Sequence, residues 1–350
     1  MKILSTILLS ALAATSAMAG GDKPIDGLSY SLPKTAVRMQ VLVEKTVTEP
    51  GQLAGFSQLY FGKAGVSTRQ TAYRIVGVSF SSEGRADADR QYTVAIDKKH
   101  SIISVDCAPD GSLLAINTKA QRAKAPAAFV PSPRKAALNP RDYMSQDILS
   151  AGNLPKMAQL VAQEIYDIRD SRSQLSRGEA DFMPKDGEQL RLMYSQLATQ
   201  EAALMQLFQG KTTVDTTATV LSFVPTKENL RPVVFRFSKS FGLCAADDYS
   251  GDPVYANIED TESSKPLPET PAEVAKMKDD FNLGVARPGH IRITLATAEG
   301  KPLGYYDTDA AQFGTVEKLN GALFGKKFTS HIILDPATGG VVELKTEPLD

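Results

Sequence analysis

The side chains able to do acid–base, metal or nucleophilic work are few and scattered. There are three histidines, His100, His290 and His331. None has an H-x-x-x-H or H-E-x-x-H partner, so spacing supports no zinc site. No G-x-S-x-G elbow, phosphate-binding loop or dinucleotide fingerprint occurs. No cofactor and no metal are therefore expected. The groups left as catalytic candidates are Asp247, Asp248 and His290, which could meet only if the fold gathers them from distant positions. Asp247 and Asp248 are adjacent, and adjacent side chains on a strand point to opposite faces. A turn or capping role competes with an acid–base role for them. His290 and His331 begin predicted strands, where an edge or satisfied histidine is the usual case. Asp87 and Asp89 have the one-residue gap that calcium loops use. The other ligands and the turn glycine of such a loop are missing, so a solvated loop is expected there.

Two cysteines, Cys107 and Cys244, complete the inventory. An oxidising compartment allows them to pair. Spacing does not show whether their Cα atoms approach within the roughly 4.4–6.8 Å that a bridge needs. Two separate thiols is the other reading. Neither cysteine has the local signature of a nucleophile.

The first residues carry the compartment signal. Lys2 is a positive leader, Ile3 to Ala14 are apolar, and Ala17-Met18-Ala19 fits a small-residue cleavage site before Gly20. Residues 1–19 therefore read as a signal peptide. An uncleaved anchor is the competing reading, for which the apolar run is short. No later run is long and apolar enough to span a bilayer, so a periplasmic or extracellular protein is expected. The 39 basic residues nearly balance the 40 acidic ones, which gives no footprint for nucleic acid. Tryptophan is absent, and this disfavours a sugar site built on indoles, although 11 tyrosines are available.

The elements that must position these side chains fall into a β–α–β order. Val37, Met39, Val41 and Val43 alternate as in a strand. Leu53 to Phe61 fits one or two helical turns, with Phe56, Leu59, Tyr60 and Phe61 inward. Tyr73–Phe80 and Gln91–Ile96 read as strands around the polar loop SSEGRADADR, and Ser101–Asp106 and Leu113–Asn117 as a hairpin across a Pro-Asp-Gly turn. Residues 119–150 begin rich in alanine, proline and basic side chains and read as an exposed linker. A basic patch that docks on anionic envelope components is the alternative there.

Residues 151–210 then carry two apolar stripes at helical spacing. The first runs through Met157, Val161, Ile165, Ile168 and Leu175; the second through Leu190, Met193, Leu197, Leu204 and Leu207. Pro155 suits a first turn, Gly178 and Gly210 suit stops, and Asp186 suits an N-cap. Two such helices pack most simply as an antiparallel hairpin, and the same stripe also suits a self-association seam. After it, Ala218–Val224, Pro232–Phe237, Val254–Ile258, His290–Ala296, Pro302–Tyr306, Phe328–Leu334 and Val341–Lys345 read as strands. A short helix is expected over Pro271–Lys278. The expected fold is α+β, with two antiparallel β-rich, sandwich-like regions, 20–118 and 211–350, joined by the long helical hairpin.

Four stretches together resemble a known family. They are SLPKTAVRMQVLVEKT, IYDIRDSRSQLSRGEADFMPKDGEQLRLMYSQLATQEAALMQLFQG, CAADDYSGDPVY and AQFGTVEKLNGALFGKKFTSHIILDPATGGVVEL. The family is one of exported Gram-negative bacterial proteins, catalogued as a domain of unknown function. The most specific part is Gly178–Asp181 with Pro184–Gly187. The resemblance implies envelope placement and one continuous architecture, and carries no catalytic residues. The functional expectation is a non-catalytic binding or assembly module whose partner is an envelope protein, a glycan or a second copy. The alternative is a hydrolase or ligand-binding protein acting on glycan or peptide in a cleft between the β regions.

Overall fold

The computed structural model describes residues 27–96, 100–120, 122, 126–131, 137–180, 186–261 and 283–349. The leader segment 1–19, the Pro271–Lys278 helix and part of the Glu179–Lys185 connection lie outside them. The described chain is α+β with three antiparallel sheets. Its strands are β1 Gly27–Glu49, β2 Gln70–Ala95, β3 Val105–Cys107, β4 Leu113–Ile116, β5 Lys211–Phe223, β6 Val233–Ser238, β7 Gly242–Cys244, β8 Asp252–Asp260, β9 Leu283–Thr297, β10 Pro302–Leu319, β11 Phe328–Leu334 and β12 Val341–Pro348. Its helices are α1 Ser57–Phe61, α2 Gln146–Leu149, α3 Leu154–Arg177 and α4 Gly187–Gln209. The sheet orders are β2-β1-β5, β10-β9-β8-β6-β7 and β12-β11-β4-β3.

β1 is the spine. Val37, Met39, Val41 and Val43 are buried and pack with Phe235, Ile258, Ile291, Ile293 and Leu295 of the five-stranded sheet. Nearer the start of the strand, Tyr30 and Leu32 are the inward residues and join a second cluster with Leu113, Ile116, Val285, Phe324 and Ile332. Inward positions are thus odd in one half and even in the other. The change of phase falls where β1 shifts register against β2 and passes from one core cluster to the other. Ser31 pairs with Gln91, but Pro33 pairs with Ala86. Residues Asp87 to Arg90 bulge out of β2 between those pairs.

The polar stretch expected as a solvated loop therefore lies inside one 26-residue strand. β2 is an edge strand paired to β1 along nearly its whole length, and an edge with a solvated face accepts polar residues.

The sheets do not follow the division into 20–118 and 211–350. β5, which comes after the helices, pairs with β1, and β4 pairs with β11. Alternation marks a strand in the sequence but says nothing of its partner.

The helices make a third cluster. Asn153 caps α3 by accepting from the Lys156 N–H at 2.9 Å, and Gly178 ends it at φ 72°. Asp186 caps α4 through the Gln189 N–H at 2.7 Å. Val161, Ile165 and Ile168 of α3 pack with Leu204, Leu207 and Phe208 of α4, together with Leu53 and Ile148. Glu201 receives Arg169 at 2.7 Å and Arg172 at 2.6 Å across the pair.

Three local expectations change. Leu59 faces solvent, while Phe56, Tyr60 and Phe61 pack inward. In the first half of α4, Met193 of the predicted stripe is exposed, while Leu190 and Leu197 are half-buried. The end of the linker region is not bare chain: Tyr143, Met144 and Ile148 pack on the helical cluster. Those three apolar residues follow the proline- and alanine-rich part, where the composition has already turned.

Candidate binding groove

Thr35 of β1 is fully buried, and its polar groups organise the place where the three sheets meet. Its hydroxyl accepts from the Ala311 N–H at 3.0 Å and donates to the Ala337 carbonyl at 2.9 Å. Gln312 clamps its backbone. The amide oxygen of Gln312 accepts from the Thr35 N–H at 3.0 Å, and its amide nitrogen donates to the Thr35 and Pro225 carbonyls at 2.9 and 2.8 Å. A side-chain amide here does what a neighbouring strand would otherwise do, so that no buried peptide group is left unpaired.

Gln312 reaches Thr35 because β10 bulges. Ala310 pairs with Gly289 and Thr315 pairs with Arg287, leaving residues 311–314 outside the ladder. Two glycines permit the bulge. A Cβ on Gly314 would lie 1.9 Å from the Arg287 carbonyl, and one on Gly289 would lie 2.4 Å from that of Phe313.

The turn between β11 and β12 closes over this junction. The Asp335 carboxylate accepts from the Ala337 and Thr338 N–H groups at 2.9 and 2.8 Å. Gly339 completes the turn at φ 70°, a conformation that favours glycine. The turn rests on β2 so closely that a Cβ on Gly84 would be 2.0 Å from the Pro336 carbonyl.

Beside it, Asp87 is buried at 2% exposure, with Lys34 at 2.8 Å and Arg90 at 2.8 Å. Arg90 also donates to the Ala311 carbonyl at 3.3 Å, which ties the two bulges together. Burial pushes the Asp87 carboxyl up, but the hydrogen bonds from Lys34, Arg90 and the Asp89 N–H outweigh it and hold the group below its ordinary value. The pair expected as a solvated Asp87/Asp89 loop is therefore half wrong: Asp89 is solvated, and Asp87 is a buried counter-ion.

The Asp335 turn leaves a recess on each side. One, of about 690 Å³, is walled by Ser82, Arg287, Tyr306, Asp309, Glu317 and Val342 among others. The other, of about 520 Å³, includes Arg38, Glu83, Asp110 and Arg122. Both share Ser82, Asp335 and Ala337, so they form one groove divided by the turn. In the larger recess, Ser82 Oγ lies 2.9 Å from the Tyr306 hydroxyl and 2.7 Å from that of Thr308. The Tyr306 ring stacks on Phe80, with centroids 5.5 Å apart. Arg287 holds Glu317 at 3.0 Å, and His290 holds Asp309 at 3.0 Å. Each acid lining this recess is thus already engaged: Asp309 and Glu317 by basic side chains, Asp335 by its own turn. The surface combines hydroxyls, one guanidinium and the valines of β12.

The sequence candidates do not converge. His290 faces its cross-strand partner Asp309, which lines the groove. Asp247 and Asp248 lie in the turn after β7, at the far edge of that sheet, with β8 and β6 between. Asp248 accepts from the Ser250 hydroxyl at 2.6 Å and its N–H at 3.0 Å; these bonds hold its carboxyl below the ordinary value. His331 contacts the Asn117 carbonyl at 2.7 Å.

Cys107 and Cys244 are free thiols in different sheets. Burial, with the nearby Asp106 charge, pushes the Cys107 thiol up, which lowers its reactivity. Among the described residues, no group of three or more His, Cys, Asp or Glu is placed to hold a metal ion.

Thr35, Gln312 and Ser82 had no motif to announce them. The one available signal was a lone amide, Gln312, between apolar neighbours and a glycine.

Comparison with known proteins adds a family and no activity. No curated protein and no solved structure matches the chain. One family model, described as a domain of unknown function (DUF4831), matches residues 26–342. That match spans both sides of the helices and every strand except most of β12, and the chain belongs to this family of unknown function.

Proposed function

We propose that the chain is an exported, non-catalytic binding module of the envelope whose ligand lies in the groove beside the Asp335 turn. One observation carries this reading. The groove is open and lined by hydroxyls, Arg287 and valines, while its acids are engaged in ion pairs or in the turn. General acid–base work needs a carboxyl or imidazole aimed at a reacting group with its proton to give or take. A hydroxyl-lined recess of this size instead suits an extended polar chain, a glycan or a peptide, held by several weak contacts.

α3 and α4 form the antiparallel helical hairpin, which packs against the segment that follows β1 and the short helix α2. The cross-contacts of Arg169 and Arg172 with Glu201, and of the Tyr194 hydroxyl with the Arg172 carbonyl, support that arrangement. The export signal at Lys2 to Ala19 supports the compartment. No helix among the described residues is long and apolar enough to cross a membrane.

The test is isothermal titration of the mature chain with envelope glycan and peptide fragments. Binding that Arg287→Ala weakens roughly tenfold, with the fragments recovered intact, is the expected result; a tenfold change corresponds to one interaction of about 1.4 kcal/mol. Cleavage of a fragment would favour the hydrolase reading. Binding indifferent to Arg287 would remove the groove from the account.

A further inference from the structure

β12 is an edge strand: among the described residues it pairs only with β11. The outer row of backbone N–H and C=O groups on such a strand is a template for another strand. Its side chains add a second anomaly. Leu344 stands opposite Ile332, which is fully buried, so it points to the core side of the sheet. Yet Leu344 is 46% exposed and Val342 is 66% exposed. The core-facing row of the strand runs past the edge of what the chain itself provides to cover it.

The sequence of β12 is also self-complementary. It reads Val341-Val342-Glu343-Leu344-Lys345-Thr346-Glu347-Pro348. Take a second copy added antiparallel, with Leu344 opposite itself across a two-fold axis. Glu343 then faces Lys345 of the other copy, Lys345 faces Glu343, and Val342 faces Thr346. A slip of one residue is excluded, because paired side chains must share a face. Re-centring the two-fold on Glu343 sets Glu343 against Glu343. Re-centring it on Lys345 sets Lys345 against Lys345 and Glu343 against Glu347. Like charges directly opposite are destabilising and opposite charges stabilising. Of these three registers, only the Leu344-centred one satisfies the charges. A Thr346-centred register would also set Lys345 against Glu347, but it places Leu344 opposite Pro348, whereas the Leu344-centred one covers Leu344 with its own twin.

We infer that β12 is a self-association edge, at which a second copy of this chain continues the four-stranded sheet through an antiparallel, Leu344-centred β12–β12 pair. The interface is isologous, so it closes at two copies and does not propagate as a fibre.

The test is size-exclusion chromatography with light scattering on the full mature chain, with circular dichroism to confirm folding. The wild type is expected to be a dimer. Glu343→Lys sets lysine against lysine and should raise the dimer dissociation constant roughly tenfold or more. Adding Lys345→Glu to that variant reverses every pair and should restore the dimer. Leu344→Cys should give a disulfide-linked dimer on mild oxidation, whereas Val342→Cys, which faces Thr346, should not. A wild type that stays monomeric up to roughly 100 μM, a concentration at which even a weak micromolar pair is populated, overturns the inference. A dimer indifferent to Glu343→Lys, one not restored by the double variant, or one without the Leu344→Cys crosslink overturns it equally.

Discussion

Thr35 and Asp87 do the structural work that the isolated residue types would not suggest. Thr35 is a hydroxyl in a strand, and nothing in its neighbours marks it. Its role comes from two bulges and a turn brought together from positions far apart in the chain. Thr35→Val preserves the shape and removes the hydroxyl. It strands the Ala311 N–H and the Ala337 carbonyl, and should destabilise the chain by about 2 kcal/mol or more. Urea unfolding of the two proteins measures this.

Asp87 makes a prediction in pH. Its folded carboxyl titrates below the ordinary value. The stability it contributes is therefore complete above the unfolded value of about 3.9 and is lost as pH falls through the lower folded value. Asp87→Asn leaves Lys34 and Arg90 without their counter-ion. The cost should be about 2 kcal/mol at pH 7, below the 3–5 kcal/mol of a fully buried pair because Lys34 reaches solvent. The difference between variant and wild type should shrink below pH 4. A difference that is flat with pH would contradict the ion-pair account.

The elements were more legible than the residues. The valines of β1, the helix caps at Asp186 and Gly178, and the turns at Pro109–Gly111 and Asp335–Gly340 all follow from local chemistry, and the structure has them where that chemistry puts them. The misreadings share one cause. SSEGRADADR looks like a loop because it is polar, and it stays in a strand because β1 pairs with Ser81–Ala86 before Asp87–Arg90 bulge out. The start of α4 looks like core because its stripe is apolar, yet Met193 remains exposed. Long-range pairing and covering are not properties of a local stretch.

The joint between α3 and α4 gives the prediction at this scale. Glu201 is held low because the hydrogen bonds of Arg169 and Arg172 outweigh its burial. Glu201→Gln should weaken the joint by about 1 kcal/mol, since both arginines are partly solvated. Hydrogen exchange should quicken first in α4, where the first half has few inward contacts, while the β1 amides keep their protection.

At the scale of the molecule, the order β–α–β suggested two β regions side by side, and the pairing interleaves them instead. β1 and β4, from before the helices, share sheets with β5 and β11, from after them. The groove is a consequence of that interleaving, because its walls come from β2, β9, β10 and the β11–β12 turn. No local motif encodes a surface assembled from four such distant segments. Asp247, Asp248 and His290 were the reasonable choices by residue type, and the groove was formed by residues of no chemical distinction. The groove as a binding surface is the central claim, and hydrogen–deuterium exchange of the mature chain, with and without a bound envelope glycan or peptide fragment, tests it most directly. Protection concentrated at Ser82, Val285–Arg287, Tyr306–Asp309 and Asp335–Val342 is the predicted result. Protection confined to α3 and α4, or to the turn at Asp247–Ser250, with the groove amides unchanged, would contradict it.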